Sequence, residues 1–175
     1  MVMANIPEID DRGLVKIESV IRLTAVEMET WIERVVRGEI LIFGNSHDDS
    51  PHTLLRKIYI QLDAYTRSVF DDAILHLLSR MVGREAKLWT REHSDNVLLL
   101  VGTIFRESHR NLAPIDLLLK AVTIYEHNAG LPDLKWRSLQ TLVSIGYGGN
   151  VDFWKEHYKD NDRRYALVTI AGLSQ

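Results

Sequence analysis

An all-α fold is predicted for this chain by three observations. Apolar residues recur at helical spacing through most of its length. Caps and stops bracket at least five of those periodic segments. Sequence that reads as strand is confined to the short EILIF at residues 39–43 and to GLVKIESVIRL, which fits either state and is taken as helix. The expected architecture is therefore a single-domain helical bundle over residues 1–175, with room for one minor strand pair in the N-terminal third.

The first clear helix is TAVEMETWIERVVRG, where Thr24 and Glu27 have the spacing of a capping box and Gly38 closes the segment. Next comes SPHTLLRKIYIQLDAYTRSVFDDAILHLLSRMVG, with Ser50 as cap, Pro51 at the first helical position and Gly83 as the stop. Leu55, Ile58, Leu62, Tyr65 and Val69 form one stripe, and Phe70, Ile74, Leu77, Leu78 and Met81 continue it slightly rotated. This reads as one long helix, or two joined near Thr66. SDNVLLLVGTIFRES has Ser94 as its cap and is apolar on nearly every side, which places it centrally. APIDLLLKAVTIYEHNAG and LPDLKWRSLQTLVSIG share one layout, a proline at the start and a glycine at the end. GYGGN is a turn, Asn150 caps VDFWKEHY, and Asp160 is placed to cap RRYALVTIAGLSQ.

Composition narrows the function classes. With 46% hydrophobic and 26% charged residues the chain is an ordinary globular one, long enough to bury one core. A net charge of −3 and a pI near 6.2 give no global attraction to a phosphate backbone. No cysteine is present, which removes disulfides, thiol nucleophiles and cysteine-held metal, and fits a reducing cytoplasm. The start MVMANIPEIDDRG has neither a basic nor a sustained apolar region, so no secretory signal is expected. The longest apolar run, NVLLLVGTIF, falls far short of the roughly 20 residues a membrane span requires.

WRSLQTLVSIG at 136–146 aligns with RYALVTIAGLS at 164–174, each an aromatic and an arginine ahead of a Leu/Val/Ile pattern. This resembles the second helix of HEAT-type repeats, over about the last 60 residues. The resemblance implies a short α-solenoid, an architecture that works by offering broad binding surfaces.

Four groups of residues could carry chemistry. In GNSHDDSPHT, His47, Asp48, Asp49 and His52 are competent metal ligands. His-Asp is the central dipeptide of HD-type phosphohydrolases, but that family requires an upstream histidine, and His47 is the first in the chain. Asp and Ser also serve turns and helix starts, and the spacing matches no standard ligand set, so no metal and no cofactor is expected. The doublets Glu92–His93, Glu126–His127 and Glu156–His157 cannot chelate as pairs, because neighbours diverge by about 100° around a helix. Arg84, Lys87 and Arg91 around Trp89 could grip a nucleic acid, with the indole stacking on a base. The acidic residues Glu29, Glu33, Asp48, Asp49, Asp160 and Asp162 would together suit a basic partner.

The leading expectation is a non-enzymatic protein-binding module, such as an immunity protein that covers the active site of a basic toxin domain. Its rivals are a metal-dependent helical hydrolase built on the His47/Asp48/Asp49/His52 loop and a helical-repeat nucleic-acid binder.

Overall fold

The computed structural model describes residues 5–40, 50–107, 114–128, 130–159 and 161–175. Among these residues the protein is all-helical, a bundle of nine α-helices with no β-strand and one isolated bridge between Ile9 and Val15. No helix among them is long and apolar enough to cross a membrane. The chain forms two compact units, residues 1–104 and 105–175.

In the first unit α1 (Ile17–Ile21) follows a tight turn that the Ile9–Val15 bridge closes. GLVKIESVIRL thus divides, its first part bridging and its second coiling. α2 (Ala25–Val36) starts on the expected capping box: Glu27 N–H donates to Thr24 Oγ1 at 3.3 Å, and Thr24 N–H donates to Glu27 Oε2 at 2.9 Å. Gly38 ends the segment with φ +71°. Residues 41–43 of EILIF lie outside the described residues, so a strand pair there is not addressed.

The long segment is two helices, α3 (Pro51–Tyr59) and α4 (Ala64–Met81). Asp63 makes the break, because its carboxylate accepts from Thr66 N–H at 2.9 Å and from the Thr66 hydroxyl at 2.8 Å. The new cap resets the helical phase, so Tyr65 leaves the predicted stripe and is 79% exposed. Ser50 holds the N-cap position of α3 but makes no side-chain cap bond, its hydroxyl contacting His52 and Thr53 instead.

α5 (Arg91–Glu107) follows a 3-10 turn at Ala86–Leu88 and begins earlier than expected. Thr90 does the capping, with its hydroxyl accepting from His93 N–H at 3.2 Å, while Ser94 is buried inside the helix. Val97, Leu98, Leu100, Val101 and Ile104 are all fully buried, as its apolar character requires. α2 packs on α3 and α4, and Trp31 and Tyr59 both present edges to Phe70, at 6.4 and 5.4 Å between centroids.

The second unit pairs α6 (Ile115–Glu126) with α7 (Pro132–Ser144), and α8 (Val151–Glu156) with α9 (Arg163–Leu173); α7 also packs on α9. The pairs are unequal, since α8 has 6 residues against the 12 of α6. Asn150 caps α8, accepting from Phe153 N–H at 2.7 Å. The cap of α9 is Asp162, which accepts from Arg164 N–H at 3.0 Å; Asp160 lies outside the described residues. Trp154 is wholly buried, donates from Nε1 to Gly148 O at 2.5 Å, and lies flat enough on α9 that a Cβ at Gly172 would fall 2.1 Å from its ring.

Candidate interaction surface

Of the acidic residues expected to meet a partner, Glu29 and Glu33 are one helical turn apart on α2 and point at α4. Arg80 binds both, Nη1 lying 3.0 Å from Glu29 Oε1 and 2.7 Å from Glu33 Oε2, while its Nε reaches Glu85 Oε2 at 2.8 Å. Glu33 also pairs with Arg37 at 2.9 Å, and Glu29 with His76 Nδ1 at 2.6 Å. Both carboxylates are about one-fifth exposed. The hydrogen bonds Arg80 donates to Glu33 outweigh burial and raise the pKa of its guanidinium above its ordinary value. The charge of Glu29 and Glu33 is therefore spent on joining α2 to α4.

Asp162 is committed as a cap and pairs with Arg164, whose hydrogen bond holds its carboxyl below the usual carboxylate range. Asp48 and Asp49 lie outside the described residues, as does Asp160.

His47, Asp48 and Asp49 lie outside the described residues, and among those described no three His, Asp or Glu side chains are grouped to hold a metal ion. Of the Glu–His doublets, Glu126 pairs with Lys135 at 2.6 Å, and His127 Nδ1 meets Thr123 O at 2.8 Å, so the neighbours face different ways. Trp89 is 7% exposed and covered on one face by Arg37, whose guanidinium carbon is 4.3 Å from the ring centroid. A ring so buried has no face open to a base.

What stays open is the corner between α3 and α4. Ile60 is 51% and Tyr65 79% exposed. The corner is held rigidly: Arg67 donates to Tyr59 O at 3.1 Å and to Ile60 O at 2.5 Å, and stacks on the Tyr59 ring at 5.5 Å. No family model, no curated protein and no solved structure matches this chain. The surface must accordingly be judged by its own chemistry.

Along α4, Tyr65, Val69, Asp72 and His76 recur at helical spacing on one face. Asp72 is exposed and makes no ion pair among the described residues. The Glu29–His76 and Glu33–Arg80 bonds show α2 and α4 running the same way. On α2, one turn before Glu29, Val26 is 75% exposed. The face thus combines apolar and aromatic side chains with a free carboxylate. Sequence reasoning missed it by counting Tyr65 in the core; the signal was Asp63 three residues before Thr66, the spacing of an N-cap.

Proposed function

We propose that this chain is a non-enzymatic protein-binding module whose contact surface is the outer face of the α3–α4 corner. The observation that carries the reading is Tyr65, a large amphipathic ring 79% exposed on a rigid helix start, beside the half-exposed Ile60. Tyrosine held in this way is the kind of anchor that supplies most of the affinity at protein interfaces, because it buries much area while losing few rotamers. Asp72 on the same face favours a partner with basic groups around an apolar pocket. A basic toxin domain is such a partner, and on this reading the chain acts as an immunity protein, covering the toxin's active site.

The test is capture from the native host with the immobilised full chain, run in parallel with Tyr65→Ala and Asp72→Lys. A single basic protein should be held by the parent, bind at least tenfold more weakly to Tyr65→Ala, and associate more slowly with Asp72→Lys, the last difference shrinking in high salt. The captured protein, assayed alone and in complex, should lose its own activity on binding if the immunity reading holds. A partner bound equally by all three forms would move the contact surface away from this corner.

A further inference from the structure

We propose that His157 is an acid-sensitive latch: its neutral ring closes the junction of α6, α7 and α8, and a proton taken up there releases α8. The geometry begins with burial. His157 caps the C-terminus of α8, is 5% exposed, and has a buried Nδ1 that makes no hydrogen bond. The Phe153 ring stands edge-on to it at 4.8 Å between centroids.

Charged groups face the imidazole from each neighbouring element. α6 contributes Glu126 and α7 contributes Lys135, while Glu156 and Lys159 lie on its own segment. Both lysines also reach α9, where the Tyr165 ring takes Lys159 Nζ at 4.3 Å and Lys135 Nζ at 5.7 Å. Burial is the largest influence and, with Lys135 and Lys159 acting against Glu126 and Glu156, holds the imidazole below its ordinary pKa. Glu126 is already committed, since Lys135 Nζ lies 2.6 Å from its Oε1 with the lysine side chain 7% exposed. An imidazolium would compete with that ammonium for one carboxylate.

The new charge is relieved most directly by carrying the ring to water. α8, only 6 residues long, is the shortest element at this junction and is the one to follow the ring, loosening Trp154 as it goes. The sign follows from linkage. The closed form binds fewer protons than the open one, so closure is complete above the ordinary imidazole value near 6.5 and is lost as pH falls below it, by up to tenfold per pH unit.

The test is amide exchange in the full chain, corrected for intrinsic rates, together with an NMR titration of the His157 ring between pH 7.5 and 5. Protection of the Phe153 and Trp154 amides should fall several-fold to tenfold per pH unit below about 6.5. It should stay level in His157→Phe and in His157→Gln, two variants of different shape that guard against a folding defect in either. Lys135→Met, which frees Glu126 for the imidazolium, should shift the ring's titration upward and blunt the fall. The latch is overturned if the neutral variants lose protection as the parent does, or if the ring takes up its proton while α8 stays protected.

Discussion

Two cations, one in each unit, hold helices together under opposite conditions. Arg80 keeps a side chain 25% exposed and divides its fork among Glu29, Glu33 and Glu85. Lys135 is 7% exposed and has Glu126, itself 46% exposed, as its carboxylate. A guanidinium presents several donors in a fixed plane, so it can join two helices and a following turn while water still reaches it. An ammonium is a compact charge that tolerates burial only while its counter-ion stays in place. The first unit should therefore yield gradually when its network is trimmed, and the second abruptly. The same contrast runs through the packing, for the first unit closes around Trp31 and Phe70 edge to face, whereas the second lets Trp154 rest against a bare glycine backbone.

The largest effect is expected at that glycine. Gly172→Ala places a methyl 2.1 to 2.4 Å from three ring atoms of a fully buried indole, so α8 and α9 must separate. The loss should be about 3 kcal/mol, read as a lower urea midpoint and a shifted Trp154 fluorescence. An unchanged midpoint would mean that α8 packs loosely and that the contrast between the units fails.

Next comes the buried amine. Glu126→Gln strands the Lys135 ammonium and should cost about 2 kcal/mol, less than a fully buried pair would because Glu126 reaches solvent. Lys135→Met removes the charge with its burial cost and should lie near the parent. If the two variants are equally damaging, volume and not charge sets the tolerance there.

Arg80→Met should be milder, about 1 kcal/mol at low salt, leaving Glu29, Glu33 and Glu85 to repel one another within reach of water. At 1 M salt, where screening acts within about 3 Å, the difference should narrow. A salt-independent loss would show that the network behaves like a buried one and would erase the distinction from Lys135.

These contrasts could be read from the sequence only in part. The all-helical class, the capping box of Thr24 and Glu27, the Asn150 cap, the prolines opening α3 and α7 and the stop at Gly38 are local signals within a few residues, and the structure realises them. Asp63 and Thr90 are caps of the same kind, yet in the sequence a continuous apolar stripe outweighs a single polar residue and points to Thr66 as a join and Ser94 as a start. The acidic residues show a second limit. Glu29 and Glu33 meet Arg80 at separations of 51 and 47 residues, and nothing in helical spacing says whether a carboxylate one turn from another faces water or a neighbouring helix. Lys135 and Gly172 were equally silent, since each is ordinary until Glu126 and Trp154 arrive beside it.

The smallest effect should come from the start of α2, where the cost is local. The Thr24 hydroxyl accepts from Glu27 N–H at 3.3 Å, a long bond, and donates to Glu27 Oε2 at 2.8 Å. Thr24→Ala removes both but leaves Thr24 N–H donating to Glu27, so the cost should fall at about 1 kcal/mol or a little below. Hydrogen bonds from the Thr24 backbone and hydroxyl hold the Glu27 carboxyl below its usual range. The stabilisation is thus complete above the ordinary carboxylate pKa and is lost as pH falls through the lowered one. Thr24→Ala should flatten that acid limb of the urea midpoint without touching the second unit's behaviour near pH 6. If instead the variant changes exchange at Trp154, the two units do not respond separately, and the contrast between Arg80 and Lys135 belongs to one shared cooperative fold.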